Sequence, residues 1–190
     1  MTKVAGVAAS YAPMLGTVGS ALTSGAAALM LGSALTAVQA VAGSCNFVSG
    51  TFICSSPADP GDVTQNLSPS GDLTVVTTED FGIDTSATGG NAFSLGNSAN
   101  TTSINLQELY GAAITAANYG ISAIILGPTP GDLSLMTTGT IQGLGDYGIL
   151  AQQYAPGATT ISNTNAAGTA SVTGNRTWAA YEIAEGCATY

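Results

Sequence analysis

The sequence predicts an all-β fold, built as a solenoid of a few coils and preceded by an apolar helical segment. Short β-prone runs are bounded by Gly, Asn, Asp or Pro. Similar phrases return at a loose spacing of about 27–31 residues, which is typical of stacked coils. Hydrophobic residues make up 45% of the chain, enough to bury a core. A β-sandwich is the alternative, because its strands also recur between turn signals.

The composition excludes several classes of function. Of 190 residues, Lys and Arg total 2, Asp and Glu total 11, His is absent, and the net charge is -9. Nucleic-acid binding requires a basic surface that this chain cannot build. A His-based catalytic triad and a His-ligated metal are excluded as well. The sequence therefore predicts no nucleic-acid partner, no metal and no other cofactor.

Residues 1–42 carry the pattern of a secretory signal. Lys3 begins the segment, a long apolar run follows, and small residues at 38–42 offer two small-x-small cleavage sites. A retained transmembrane helix is the alternative, because residues 19–42 are long enough for a span of about 20 residues. We expect either a cleaved signal peptide or a retained apolar helix, and only the latter would contact a membrane.

The cysteines predict a disulfide-closed hairpin and linker over residues 43–58. Cys45 and Cys54 flank two β-prone runs joined by the turn signal Ser49-Gly50. With that two-residue loop they face each other in a non-hydrogen-bonded pair, where the Cα atoms lie about 4.5 Å apart, within disulfide range. A disulfide implies export to the periplasm, the cell surface or the exterior. Two free thiols in a reducing cytosol are the alternative. Cys187 is left as a free thiol.

Residues 59–190 are predicted to form the solenoid, beginning after a turn-rich linker. No convincing apolar helix period occurs in this part, although the range 106–117 could form a helix or a loop. Six short runs are predicted as strands, at residues 73–76, 103–106, 121–126, 133–136, 159–161 and 170–172.

Recurring phrases suggest how the coils align. Tyr-Gly-Ile-x-Ala occurs at 119–123 and again at 147–151, with a degenerate copy at 181–184. Gly-Asp-Leu occurs at 71–73 and at 131–133. In addition, residues 113–115 match 140–142 and then 171–174. We expect each set to stack in neighbouring coils, and about four to six coils in all.

Four further stretches lie at residues 45–57, 62–67, 81–84 and 90–93, and the turn phrase Thr-Gly-Thr-Ile-Gln-Gly lies at 138–143. Together they resemble the N-terminal passenger region of a bacterial autotransporter (type V secretion). The resemblance implies a signal peptide and a right-handed parallel β-helix displayed beyond the outer membrane, with an adhesin as one role. The family's C-terminal membrane β-barrel has no counterpart before Tyr190, so we expect a passenger fragment.

The search for catalytic chemistry finds one weak acidic cluster, Glu79, Asp80 and Asp84. Two carboxylates can support glycoside hydrolysis, but an acidic polysaccharide would call for cations, and Arg176 is the only one beyond Lys3. We interpret the cluster as solvated turn carboxylates and predict no catalytic residues.

The sequence thus predicts a surface-exposed or secreted β-helix with a structural or adhesive role and no catalysis. The alternatives are an acid-only carbohydrate-active β-helix enzyme and a membrane-anchored β-domain. The expected partner is a ligand on a host or neighbouring cell. Self-association through an open solenoid end or through Cys187 is also expected.

Overall fold

The computed structural model describes residues 43–164, 170–175 and, for the backbone, 180–184. The chain divides into two units, Met1–Ala37 and Val38–Tyr190. The predicted signal or apolar helix over 1–42 lies outside the described residues, as does Cys187. In the part that is described, every regular element is a strand, and no helix there could cross a membrane.

The described residues contain fifteen strands, and those from β2 onward pair in parallel to form a β-solenoid of about four turns. They are β1 Ser44–Val48, β2 Thr51–Ser55, β3 Gln65–Leu67, β4 Gly71–Thr77, β5 Ile83–Asp84, β6 Phe93–Ser98, β7 Thr101–Gln107, β8 Ala113–Ala116, β9 Ile121–Ile125, β10 Leu133–Thr137, β11 Thr140–Gly143, β12 Ile149–Gln153, β13 Thr159–Asn163, β14 Ser171–Gly174 and β15 Ala180–Ala184.

Three sheets form the sides of the solenoid. Sheet A has the order β1-β2-β4-β7-β10-β13, sheet B β15-β12-β9-β6-β3, and sheet C β14-β11-β8-β5. Each coil passes through sheets A, C and B in turn, so coil 1 is β4–β5–β6, coil 2 β7–β8–β9, coil 3 β10–β11–β12 and coil 4 β13–β14–β15. The predicted solenoid is confirmed, and the sandwich alternative is wrong because the coils pair in parallel.

The core lies between the three sheets and is built from columns of aliphatic residues. Side chains alternate along each strand, so every second residue points inward and stacks on its equivalent in the next coil. The fully buried columns are Leu73, Ile104 and Leu133 in sheet A, Ile83, Ile114 and Ile141 in sheet C, and Phe93, Ile121 and Ile149 in sheet B.

Most of the predicted alignments are confirmed. Ile121 pairs with Ile149, as the Tyr-Gly-Ile-x-Ala phrases require. Leu73 and Leu133 both pair with Ile104, so the two Gly-Asp-Leu phrases lie two coils apart in one column. The alignment of residues 113–115 with 140–142 and 171–174 is also correct.

One expectation is wrong, and of two alternatives left open for residues 106–117 the helix is wrong and the loop is correct in part. Tyr181 pairs with Leu150 and not with Tyr147, so the degenerate third phrase is shifted along the strand. The range 106–117 contains no helix, because β7 ends at Gln107, a loop turns the corner, and β8 begins at Ala113. Strand alternation continues into this range from β7, and helix periodicity never replaces it.

A hairpin closes sheet A at its N-terminal edge. Strands β1 and β2 pair antiparallel in the predicted register, and Ser49 and Gly50 form the turn with φ of 48° and 88°. Cys45 and Cys54 are joined by a disulfide, with their Cα atoms 3.9 Å apart. The predicted bridge is therefore confirmed.

Side chains satisfy backbone groups at this same end of the solenoid. The carboxylate of Asp62, which is 4% exposed, accepts the N–H of Asp84 at 2.9 Å and that of Asp59 at 3.0 Å. Gln65 accepts the N–H of Cys45 at 3.0 Å through its side-chain oxygen. An open sheet edge invites association with other strands. Asp62 and Gln65 reduce that hazard by accepting N–H groups of β5 and β1, the terminal strands of sheets C and A.

Candidate functional site

The candidate site lies at the corner where coil 2 leaves sheet A for sheet C. Ile104 and Leu106 point inward along β7, and the same alternation turns Glu108 inward one residue beyond the strand. Glu108 is 0% exposed. A carboxylate buried so completely needs hydrogen-bond donors to offset its desolvation.

Four backbone N–H groups supply those donors. Oε1 of Glu108 accepts from Tyr110 at 2.8 Å and from Ala112 at 3.0 Å. Oε2 accepts from Thr138 and from Gly139, both at 2.8 Å. An ionised carboxylate has acceptors only, so it suits a site with four donors. One side chain thereby fixes the coil 2 corner and ties it to coil 3.

The coils approach closely at this corner. A Cβ atom added to Gly139 would collide with the backbone of Ala112, so the second position of the coil 3 corner requires glycine. The close approach brings the N–H groups of both coils to the same carboxylate.

The coil 2 corner loop projects because the next corner is shorter. Gln107 pairs with Met136 before the corner and Ala113 with Thr140 after it, so coil 3 turns with two residues fewer. Leu109 and Tyr110 occupy the longer loop and are 51% and 57% exposed.

An exposed methionine lies beside this loop. The backbone oxygen of Met136 accepts the N–H of Glu108 at 2.8 Å, and the Met136 side chain is 43% exposed on the outer face of sheet A. Leu109, Tyr110 and Met136 are called the corner patch below.

Two residues of the predicted acidic cluster occupy the equivalent corner of coil 1. Val76 pairs with Gln107 before the corner and Ile83 with Ile114 after it, so the loops of coils 1 and 2 have equal length. This register places Glu79 at the position of Tyr110 in the preceding coil, and Asp80 at the position of Gly111. Both acids are exposed.

Asp84, the third member of the cluster, lies on β5, partly buried. Its Oδ1 accepts the N–H of Ser86 at 2.9 Å. Its own N–H donates to Asp62. The structure therefore keeps Glu79 and Asp80 in one corner loop and engages Asp84 in a turn of sheet C.

The charge on the described surface has one sign. Lys3 and Arg176 are the only basic residues of the chain, and both lie outside the described residues. Every charged side chain that the structure does describe is therefore a carboxylate. Over the same residues, no group of three or more Cys, Asp or Glu side chains is placed to hold a metal ion.

An open groove of about 450 Å³ lies on the outer face of sheet A. It is lined by Ser103, Ile104, Asn105, Gly131, Asp132 and Ser134. Asp132 is the one carboxylate in that lining, and its Oδ1 accepts the N–H of Ala158 at 2.9 Å. Asp72 occupies the corresponding position two coils earlier. The hydroxyl of Thr102 and then that of Ser103 donate to its carboxylate and lower its pKa.

Glu108 is a site residue that the sequence interpretation does not include, although the sequence carries a signal for it. Ile104, Leu106 and Glu108 follow strict alternation, which predicts that Glu108 points inward. The helix or loop interpretation of residues 106–117 interrupted that pattern. The four N–H donors to Glu108 come from two coils, and partners so far apart in the chain cannot be deduced from sequence spacing alone.

The fold defines the chain as a parallel β-solenoid with a disulfide-closed N-terminal hairpin. No protein-family model, curated protein or solved structure matches it. The site is therefore interpreted on its own geometry.

Proposed function

We propose that the chain is an exported, non-catalytic β-solenoid that presents its corner loops to a partner in a structural or adhesive role. The observation that carries the proposal is that the coil 2 corner exposes two large side chains on a loop held by a buried carboxylate. Leu109 and Tyr110 face solvent while Glu108 holds the N–H groups of Tyr110 and Ala112. A loop already ordered in the free protein loses little entropy when it binds, which favours presentation.

Export is supported by the Cys45–Cys54 disulfide, because such bridges persist in oxidising compartments. In this proposal residues 1–42 act as the signal, and the chain is a passenger fragment of the autotransporter type that its sequence resembles. We expect the coils to wind right-handed, as about 98% of parallel crossovers do.

The hydrolase alternative has less support. Glycoside hydrolysis needs two carboxylates flanking one bond, about 5–9.5 Å apart. The groove on sheet A is lined by a single carboxylate, Asp132. Glu79 and Asp80 lie on an exposed corner, and the carboxylate of Asp84 accepts a turn N–H.

The first test concerns export. The full chain, with its own N-terminus, is expressed in a Gram-negative host, and the cell fractions are analysed by intact mass with and without reduction and thiol labelling. We expect an exported protein with Cys45 and Cys54 oxidised. A cytosolic chain that retains Met1 and three labelled thiols would contradict the proposal.

The second test concerns adhesion and catalysis. Beads coated with the oxidised chain should retain host or neighbouring cells beyond beads coated with the heat-denatured chain. The same protein should release no reducing ends from acidic or neutral polysaccharides. Release that disappears in Glu79→Gln or Asp80→Asn would establish the enzyme alternative instead.

A further inference from the structure

We propose that the corner patch binds a cationic polypeptide segment, with a Lys or Arg side chain over the ring of Tyr110 and against the carboxylate of Glu79. The inference rests on the proposed function as a presenting scaffold and names the chemistry of its partner. Exposed apolar groups and unpaired acidic groups meet at this corner, and a basic segment with aliphatic side-chain stems suits both.

Three large apolar or aromatic side chains of this corner are exposed. Tyr110 is 57% exposed, Leu109 51% and Met136 43%. Such side chains in one place mark interaction sites more often than isolated exposed residues do. Tyrosine is also enriched among the residues that dominate binding energy at protein interfaces.

The loop that carries Tyr110 is fixed before any partner arrives. Its N–H groups at Tyr110 and Ala112 donate to Glu108, and that of Gly111 donates to the hydroxyl of Thr138 at 2.9 Å. The backbone of this loop therefore has little conformational freedom left to lose when a partner binds.

The register places an acid at the equivalent position of the preceding coil. Glu79 corresponds to Tyr110 in the sequence count between the paired strands, and those strands lie about 4.8 Å apart on either side of the corner. A cation–π contact requires the cation within about 6 Å of the ring centre. In this proposal one ammonium or guanidinium group spans the ring of Tyr110 and the carboxylate of Glu79, and Asp80 follows at the next position of the coil 1 loop.

The charge balance determines which partners fit. All charged side chains in the described part of the solenoid are acidic, so nucleic acids, anionic lipid surfaces and acidic polysaccharides are repelled. A second copy of this chain brings only Lys3 and Arg176 as cations. A basic segment of a different protein therefore suits the patch best. A neutral glycan could stack on Tyr110 but would leave Glu79 and Asp80 without a role.

The test uses the exported, oxidised protein and a fluorescent peptide of alternating Arg and Gly. A peptide with Glu in place of Arg is the matched control, and neutral cellohexaose is tested beside them. Binding is followed by anisotropy or calorimetry at low and high salt. We expect the Arg peptide to bind, the Glu peptide and the glycan not to bind, and affinity to fall with salt. Binding of the glycan in place of the Arg peptide would overturn the inference.

Aromatic variants locate the binding site. Tyr110→Ala should weaken binding about fivefold, and Tyr110→Phe, which keeps the ring, should restore most of it. The control is Tyr154→Ala, because Tyr154 is 41% exposed but follows β12 at a different corner. The affinity of the Tyr154→Ala variant for the Arg peptide should change less than about twofold. Equal losses for the two alanine variants would show non-specific attraction and overturn the inference.

Charge variants test the acidic half of the site. Glu79→Gln should weaken binding about threefold and reduce its salt dependence. Asp132→Asn removes the same charge from the outer face of sheet A, away from the corner patch, and should have a smaller effect. If Asp132→Asn weakens binding as much as Glu79→Gln, the cation does not sit at the corner.

The outcomes separate this inference from the function on which it rests. If wild-type beads adhere to cells and Tyr110→Ala beads adhere equally, the cationic docking site is wrong and the presenting function stands. If the wild-type chain is neither exported nor adhesive, the presenting function fails whatever the peptide does. Adhesion that is lost in Tyr110→Ala and retained in Tyr154→Ala supports both.

Discussion

The corner loops of coils 1 and 2 have the same length, but the aromatic ring is buried in coil 1 and exposed in coil 2. In coil 1, Phe81 turns inward, is 4% exposed, and packs against Phe93 with ring centroids 5.7 Å apart. In coil 2 the same position is Ala112, which is also buried. The coil 2 loop carries its aromatic ring outward, at Tyr110. One loop therefore completes the core, and the other displays a ring to solvent.

Hydrogen bonding differs in the same way. In coil 1 the N–H of Phe81, at the position of Ala112, donates to the carbonyl of Thr78 in the same loop, and those of Thr78 and Gly82 donate to the carbonyls of Cys54 and Ser56. In coil 2 the N–H groups of Tyr110 and Ala112 donate to the Glu108 side chain. The coil 1 corner therefore uses backbone acceptors, whereas the coil 2 corner depends on a buried carboxylate.

The largest effect should come from removing that carboxylate. Glu108→Ala leaves four backbone donors without their acceptor and opens a cavity, and should lower the free energy of unfolding by about 4–5 kcal/mol. Glu108→Gln retains one acceptor oxygen and should cost roughly half as much. Urea denaturation measures both. Gln107→Ala, one residue earlier on the outer face, is the control and should change stability by less than about 1 kcal/mol. An equal loss of unfolding free energy in Gln107→Ala would show that Glu108 has no special role in holding the corner.

Alanine substitutions of Phe81 and Tyr110 should differ in their effect on the free energy of unfolding by nearly as much as the Glu108→Ala variant differs from its control. Phe81→Ala should cost about 3–4 kcal/mol, because it empties a buried site against Phe93. Tyr110→Ala should change stability by no more than about 0.5 kcal/mol, because its ring is exposed. The pair is compared by denaturation under identical conditions. Similar costs at the two positions would mean that Tyr110 is part of the core, and the contrast between the loops would fail.

The contrast between the loops also shows how far the sequence predicts the structure. The parallel solenoid, the hairpin and most of the register follow from phrases such as Tyr-Gly-Ile-x-Ala and from the spacing of Cys45 and Cys54. These features depend on alternation and on identical residues stacking in adjacent coils, both of which are visible along the chain.

The corner was harder to predict from the sequence. The role of Glu108 depends on donors from another coil and on a loop length that becomes visible only once Gln107 is paired with Met136. Tyr181 was misaligned because a single Tyr-x-Ile match carries little register information. The two-residue strand Ile83–Asp84 is too short to show any alternation.

Thr77 in coil 1, at the position that Glu108 has in coil 2, allows a test with a smaller expected effect on stability. Thr77 occupies the position of Glu108, and its hydroxyl is buried without a hydrogen-bond partner. Thr77→Val keeps the shape and removes the unsatisfied group, so it should stabilise the fold by about 0.5–1 kcal/mol. The coil 3 equivalent, Thr137, donates to Ser162 at 3.3 Å. Thr137→Val should therefore destabilise by a similar amount, and a gain at both sites in thermal unfolding would contradict this account.

The smallest expected effect concerns Asp72, on the exposed margin of sheet A in coil 1. The hydroxyls of Thr102 and Ser103 hold its pKa below the ordinary value for aspartate. Because the folded-state pKa is lowered, the resulting stabilisation is complete above the unfolded pKa, near 3.9, and is lost as pH falls through the folded value.

The pKa of Asp72 can be measured directly by an NMR titration of its carboxyl group. Thr102→Val removes the main donor and should raise the titration midpoint toward the ordinary value. Ser134→Ala removes a hydroxyl from the same sheet in coil 3 and should leave the midpoint unchanged. An Asp72 midpoint that is insensitive to Thr102→Val would show that the hydroxyl does not stabilise the carboxylate.

Amide hydrogen exchange of the wild-type chain tests the central claim most directly, because it reports the N–H groups that Glu108 accepts. We predict that Tyr110, Ala112, Thr138 and Gly139 are protected to a degree comparable with the neighbouring strands, although the Tyr110 side chain faces solvent. Exchange of these amides at the rate of an unstructured peptide, with the strands still protected, would contradict the account of a displayed corner held by a buried carboxylate.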